Sequence, residues 1–291
     1  MDEVKNFING EYRVSSSGKT FDNINPCTGA LNGSIHEASQ EDVDAAVQAA
    51  RQALKGPWGK MTDAERGEIL HKVADGIDRR FDQFLAAECA DTGKPYNIAN
   101  HIDIPRGAAN FRVFADAVKN FSTEAFQMAT PDGKGAFNIA VRKPKGVIAV
   151  ISPWNLPLLL MTWKVGPALA CGNTVVVKPS EETPTTTSLL GEVMNEAGVP
   201  PGVFNVVNGF GPDSAGAFLT VHSGVDAITF TGETRTGEII TRAAAKVLRD
   251  VSMEFGGKYR ALVFADCDMD KAIEGTLRSA FAYWGQVCLG T

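Results

Sequence analysis

From Gly146 onward the sequence repeats one pattern, and that pattern restricts the fold more than any other feature. Residues 147–151 read Val-Ile-Ala-Val-Ile without a polar break, and 174–177, 203–207 and 227–230 are nearly as apolar. Successive side chains of a strand point to opposite faces, so a half-solvated strand alternates apolar and polar residues. A continuous apolar strand has both faces covered. The intervals 156–170, 186–197, 213–221 and 235–248 carry the helical spacing instead. Strand and helix in alternation predict an α/β fold, a doubly wound open parallel sheet with helices on both faces. Short strands are expected at 251–254 and 262–264. A helix starting at Asp268 and Asp270 then leads to Phe281.

Upstream, Asn9-Gly10 ahead of a β-rich run reads as a hairpin turn. Ser39 opens a helix, with Asp42 in the capping-box position and Val43, Ala46, Val47, Ala50 and Leu54 on one face. Thr62 and Glu65 form a second capping box. The helix behind it is expected to bury Ile69, Val73, Ile77, Phe81, Phe84 and Leu85 and to end at Gly93 and Pro95, with Arg79 and Arg80 on a solvated face. A third helical stretch, 98–121, is interrupted at Pro105. A strand is expected at 137–141, after the Pro131-Asp132-Gly133 turn. The expected division is 1–122 for the N-terminal segment and helices, 123–145 for a hairpin, 146–256 for the parallel core, and 257–291 for the start of a further domain.

Composition narrows the function classes. Of 291 residues 44% are hydrophobic and the net charge is −6, which suits a globular chain and disfavours a nucleic-acid surface. Five cysteines (Cys27, Cys89, Cys171, Cys267, Cys288) without a CxxC argue against a disulfide framework, and four scattered histidines suggest no metal site. Met1 to Lys5 carry no apolar signal core, and no apolar run is long enough for a membrane span. The expectation is a soluble cytoplasmic protein.

Ligands of such sheets bind at the carboxyl ends of the strands. Four patches fall there: Ser152-Pro153-Trp154-Asn155-Leu156-Pro157, Lys178-Pro179-Ser180-Glu181, Thr231-Gly232-Glu233-Thr234-Arg235-Thr236-Gly237, and Glu254-Phe255-Gly256-Gly257-Lys258. Cys288 follows a Gly285-Gln286 turn, where it is either a loop-presented nucleophile or an ordinary buried cysteine. Asn155 could cap the next helix, Glu254 could be a strand-end carboxylate, and Arg106 could be a surface or structural arginine, although Ile104 and Ala108-Ala109 beside it suggest that it points inward.

The four patches together with Cys288 resemble the NAD(P)-dependent aldehyde dehydrogenase superfamily, from about Phe7 to the last residue. Asp103 to Phe111 and Trp154 to Leu160 are similar to its branch acting on 2-hydroxymuconate and 2-aminomuconate semialdehydes, in aromatic-compound catabolism. The resemblance implies a Rossmann-like NAD-binding domain with N-terminal helices, followed by only the start of a catalytic domain. It implies that Cys288 attacks the aldehyde, that Asn155 with the Cys288 N–H holds the oxyanion, and that Glu254 activates the hydrolytic water. For the cofactor it implies Ile151, Ser152, Pro153, Trp154, Lys178, Ser180, Glu181, Gly211, Pro212, Thr231, Gly232, Glu233, Gly237 and Phe255. A carboxylate at Glu181 favours NAD over NADP. For the aldehyde substrate it implies Arg106 as a carboxylate clamp, with Asn155, Leu156, Leu159 and Trp163 lining the tunnel; plain core packing is the other reading of the last three.

The resemblance also implies departures. Its members continue well past the cysteine and form homo-oligomers, so the chain reads as the N-terminal portion of such an enzyme. Two other readings stand beside the enzyme: an NAD-binding module without turnover, and a fragment that pairs with full-length subunits through the 137–141 strand. Tyr283 stands where the superfamily usually has Asn, Trp284 where it has a small or polar residue, Phe255 in place of Leu and Tyr259 in place of Asn. Tyr283 and Trp284, beside the nucleophile, are expected to crowd the nicotinamide or the aldehyde.

Overall fold

The computed structural model describes residues 3–257, 259–288 and 290. Lys258, Leu289 and Thr291 of the patches above lie outside the described residues, as do Met1 and Asp2.

The chain opens with short strands β1 (Glu3–Val4), β2 (Asn6–Ile8) and β3 (Glu11–Arg13), then β4 (Thr20–Ile24) and β5 (Leu31–His36). Asn9 and Gly10, with φ of 55° and 83°, make the β2–β3 turn. Positive φ at both central residues is the condition for a two-residue hairpin, which Asn-Gly meets at least cost. Helix α1 (Gln40–Ala53) starts at the Ser39–Asp42 capping box, and α2 (Asp63–Arg79) at the Thr62–Glu65 box. Both boxes satisfy orphan amides reciprocally.

The long helix expected behind Thr62 is two helices. α2 stops at Arg80 (φ −105°, ψ 23°), and α3 (Phe81–Thr92) continues to Gly93, whose left-handed φ of 67° closes it. Arg80 corrects the expectation of a solvated face. Its guanidinium pairs with Glu192 and Glu196 of a later helix. In the third stretch, α4 (Tyr96–Ile98), a π-helical segment (Ala99–Asp103) and α5 (Ile104–Lys119) follow without leaving right-handed helical φ and ψ, so the expected interruption takes the form of a widened turn just ahead of Pro105. Proline lacks the N–H that an unbroken α-helix would use there, and the wider π turn ahead of it accommodates the missing bond.

After the hairpin of β6 (Ala125–Met128) and β7 (Ala136–Ile139), the alternating core follows: β8 (Val147–Ile151), α6 (Pro157–Ala170), β9 (Thr174–Lys178), α7 (Thr185–Ala197), β10 (Phe204–Val206), α8 (Ala215–Val221), β11 (Ala227–Gly232), α9 (Thr234–Ala245) and β12 (Asp250–Phe255). The seven-stranded sheet runs β12-β11-β8-β9-β10-β2-β3. Its first five strands are parallel, while β2 pairs antiparallel with β10 and carries β3 at the edge. The expected open parallel sheet is thus a mixed one. The N-terminal hairpin covers what would be an open edge at β10.

Every residue of β8 is buried. Ile148 and Val150 face a core formed with Leu70, Val73 and Ile77 of α2, Phe111 of α5, Met161 and Val165 of α6, and Val193 of α7. Val147, Ala149 and Ile151 face the opposite core, with Val43 and Val47 of α1, Leu219 of α8 and Ile240 of α9. The unbroken apolar run therefore feeds two cores by alternation. Each fully buried aliphatic side chain contributes about 1.5–3 kcal/mol.

The strand expected at 262–264 does not form. Leu262 and Phe264 are exposed, and no strand pairs with that segment among the described residues. α10 (Met269–Phe281) follows, capped by Asp268, with no buried residue.

Candidate active site

The sheet register aligns the chemistry. Ile151 at the end of β8 lies beside Lys178 of β9, and Phe230 of β11 beside Ile151. Thr231 and Gly232 lie beside Glu254 and Phe255 of β12. The carboxyl ends of four strands thus form one rim, where backbone amides and the starts of α6 and α9 meet.

Two contacts bring the Cys288 strip onto this rim. Asn155 Nδ2 donates to Gln286 O at 2.7 Å. A Cβ on Gly256 would stand 3.7 Å from Cys288 Cβ, so the backbone just beyond Glu254 abuts the thiol's residue. Cys288 is half-buried and Glu254 exposed. Asn155 Oδ1 is buried and unpaired among the described residues. The Asn155 amide thus reaches the strip two residues before the cysteine, and its N–H can be handed from the Gln286 carbonyl to a developing oxyanion. Asn155 does not cap α6: Leu156 precedes the helix, with no side-chain cap.

Lys164, which the sequence reading missed, belongs to this neighbourhood. Its ammonium donates to Thr229 Oγ1 at 2.9 Å beneath the rim. Burial pushes its pKa down to about 8, against an opposing pull from Glu254. The available signal was a single charged residue inside the apolar helix 157–170.

The cofactor candidates line the same edge. Lys178 and Ser180 are buried, and Lys178 Nζ bonds to Glu181 Oε2 at 3.0 Å. Burial lowers the Lys178 pKa. Ser152 is buried, Pro153 half-buried and Trp154 exposed. Glu233 precedes α9 without a side-chain capping bond, so its carboxylate does not occupy the first-turn amides. Free amides at a helix start suit a phosphate. A Cβ on Gly237 would fall 2.1 Å from the Phe255 ring, so that ring packs directly on the first turn of α9. Gly211 and Pro212 lie in the loop before α8, with open space around Gly211. Thr231 is buried and Gly232 half-buried. These residues fit a dinucleotide: uncapped amides at a helix start with an aromatic ring packed on its first turn, and a Lys–Glu pair at the end of a nearby strand.

The substrate candidates fare unevenly. Arg106 is exposed in the first turn of α5 rather than pointing inward, because buried Gly107 and Ala108 take the inner face. Its charge is felt by Asp103. Leu159 is buried and its carbonyl accepts from Asn110 Nδ2 at 3.0 Å. Trp163 is about half-exposed and packs edge-on to Phe114.

A buried ionic cluster lies behind the Asn155 turn, and the sequence reading did not find it. Lys94 Nζ donates to Glu88 Oε1 (3.0 Å), Asp103 Oδ2 (2.5 Å) and Asn155 O (3.1 Å). All three ionic side chains are fully buried. Desolvation raises Glu88 to about 7 and raises Asp103 as well. Tyr283 joins them, its hydroxyl donating to Asp103 Oδ2 at 2.8 Å and its ring 4.2 Å from the ammonium. Tyr283 is thus turned into the interior, while Trp284 is exposed. The signal was Glu-x5-Lys-x8-Asp across a helix end, a spacing with no motif attached.

The chain is similar to known proteins over nearly its whole length. The chain is 73% identical over its whole length to 2-hydroxymuconic semialdehyde dehydrogenase of Pseudomonas sp. (strain CF600), covering 60% of that protein. It is 54% identical to 2-aminomuconic 6-semialdehyde dehydrogenase of Pseudomonas sp, over 99% of the chain and 58% of the relative. A solved aldehyde dehydrogenase from Bacillus cereus, in complex with NAD+, superposes with a TM-score of 0.94 at 40% identity, over 99% of this chain and 58% of that one. The chain therefore spans about three-fifths of the length of the relatives it matches. The family model for aldehyde dehydrogenases matches residues 12–291. From the third strand to its last residue, this chain belongs to the aldehyde dehydrogenase family.

Proposed function

We propose that the protein to which this chain belongs oxidises a carboxylate-bearing semialdehyde, 2-hydroxymuconate or 2-aminomuconate 6-semialdehyde, to the dicarboxylate with NAD, in aromatic-compound catabolism. The observation that carries the reading is the meeting of Asn155, the Glu254–Gly256 backbone and the Cys288 strip at one strand-end rim. The relatives' names favour the muconate substrates.

Cys288 as thiolate forms a C–S bond to the aldehyde carbon, and the carbonyl π pair moves to oxygen. Asn155 Nδ2 and the Cys288 N–H donate to that oxyanion. Losing one such donor typically costs about 2.7–4 kcal/mol of transition-state stabilisation. The chemistry that NAD supplies when bound is acceptance of the hydride from that carbon, which leaves a thioester on Cys288. Glu254 takes a proton from water as it attacks the thioester, and the C–S bond breaks to return the thiolate. Arg106, exposed in the first turn of α5, is the candidate clamp for the distal carboxylate, which it can hold with two parallel hydrogen bonds. Lys178 and Glu181 would hold the adenosine ribose, with the Glu181 charge disfavouring a 2′-phosphate.

Action in the cytoplasm and as a homo-oligomer belongs to the same reading. Phe126, Met128, Phe137 and Ile139 of the β6–β7 hairpin are all exposed, which suits a strand pair awaiting a second copy. No described helix is long and apolar enough to cross a membrane.

The test is NADH formation from 2-hydroxymuconate semialdehyde, with NAD binding followed separately by calorimetry. The expected result is turnover that Cys288→Ser abolishes and Asn155→Ala lowers about 10²–10³-fold. Turnover that survives Cys288→Ser would sink the mechanism. NAD binding without turnover would favour the binding module instead, a reading that the three-fifths span keeps open.

A further inference from the structure

We propose that the buried Glu88–Lys94–Asp103 cluster and Tyr283 form a latch that seats the Cys288 strip against the Asn155 turn. This makes all four positioning residues for the thiol, and it rests on the reading of Cys288 as the nucleophile.

The cluster's bonds are directed at the site from both sides. Each of the three ammonium hydrogens of Lys94 has an acceptor, and the third is the backbone carbonyl of Asn155. The other oxygen of Glu88 accepts from Leu158 N at 3.4 Å. That amide belongs to the first turn of α6, whose start has no side-chain cap of its own. Glu88 therefore caps α6 from a distant helix, while Lys94 holds the residue that carries the candidate oxyanion donor. Charges fully buried within residues 88–103 are not needed to fill space, because apolar side chains of similar volume do so without desolvation cost. What the ionic groups add is direction: an acceptor for Leu158, a donor for Asn155 and an acceptor for Tyr283.

Tyr283 closes the latch from the nucleophile's side. Tyr283, Trp284 and Gly285 have φ of 63°, 54° and 76°, three consecutive left-handed residues of which two are not glycine. Such a turn is unfavourable for side chains larger than Asn or Asp unless its surroundings hold it. The hold is visible in Tyr283, 5% exposed, with its ring over Lys94 and its hydroxyl on Asp103. Three residues on, Gln286 O takes the Asn155 amide. Asn155 is thus tied to the cluster through its backbone and to the strip through its side chain, and the strip is tied to the cluster through Tyr283.

The experiment is timed alkylation of the 291-residue chain by N-ethylmaleimide, resolved by peptide mass spectrometry, with no NAD or aldehyde present. Cys171, exposed just past the far end of α6, serves as the internal reference. Tyr283→Asn, which keeps a residue tolerant of the left-handed turn but cannot reach Asp103, is expected to speed alkylation of Cys288 about fivefold or more and leave Cys171 unchanged. Lys94→Met is expected to do the same. Tyr283→Phe, which retains the ring over the ammonium, is expected to recover the greater part of the protection. A smaller rise in Tyr283→Asn, or a rise shared by Cys171, would overturn the latch. Tyr283 lies in the terminal strip, so its variants decide the matter even if Lys94→Met fails to fold. Alkylation needs no turnover, so a missing activity and a missing latch are told apart.

Discussion

Replacing Lys94 by methionine removes the only cation among the cluster's three ionic groups and keeps most of its volume. Glu88 and Asp103 are then two carboxyls with fully buried side chains and no ammonium between them. Breaking a buried ion pair by removing one partner typically costs about 3–5 kcal/mol, because the remaining charge stays desolvated. At about 2.1 cal/mol/K of unfolding entropy per residue, a 291-residue chain carries roughly 0.6 kcal/mol/K, so the expected loss is about 5–8 °C in Tm. The loss depends on pH, with a definite sign. Glu88 is already raised to about 7, mainly by burial, with Lys94 pulling it down and Asp103 pushing it up. Without Lys94 both carboxyls rise further. A folded-state pKa above the unfolded one means that the folded chain holds more protons, so its stability is greatest below the unfolded value, near 4.5, and falls as pH rises through the folded one. The other groups facing the cluster are Tyr283, Cys89 and Arg106. Differential scanning calorimetry of wild type and Lys94→Met at pH 5 and pH 8 should therefore show a large Tm difference at pH 8 and a smaller one at pH 5. Adding Glu88→Gln and Asp103→Asn should recover the greater part. A Tm loss equal at both pH values, or below about 2 °C at pH 8, would refute the reasoning.

Two further outcomes are expected. Lys164→Met should stabilise the fold at pH 7. The lysine's depressed pKa, about 8 against 10.5, means that the folded chain gives up a proton, so stability rises with pH between those values. The gain is up to about 3 kcal/mol, less about 1 kcal/mol for the Thr229 hydroxyl left without its donor. Urea unfolding at pH 7 and pH 10 should show the gain shrinking at the higher pH, and a net destabilisation at pH 7 would contradict it. Gly237→Ala should drive the Phe255 ring off the start of α9. Because that ring is already part-exposed, Tm should move little while NAD affinity falls severalfold, on the order of 1 kcal/mol. Calorimetry that finds unchanged affinity would remove Phe255 and Gly237 from the cofactor site.

What the sequence alone determined was the architecture of the core and the position of the strand-end patches along it. Residues 147–151 could only be a strand covered on both faces, because every position is apolar, and β8 does divide its side chains between two cores. The strand-end patches were legible because turn and helix-start chemistry is local: a Gly, Ser or Asn in the right place states its conformational reason within a few residues. The same locality explains the errors. The partners of Arg80, Glu192 and Glu196, lie more than a hundred residues away. The edge that the β2–β3 hairpin covers is invisible from residues 6–13 alone, and segment 262–264, apolar enough for a strand, finds no neighbour among the described residues. Arg106 looked inward from its apolar neighbours, but helix α5 turns those neighbours in and the arginine out. Only the tertiary structure decided that Lys94, Glu88, Asp103 and Tyr283 meet behind Asn155. A buried ion is stabilised by partners whose separation in sequence, 180 residues from Asp103 to Tyr283, carries no periodic signal. Hydrophobic patterning reports which face of a segment is dry. Which charges meet across that dryness is set by how the segments pack.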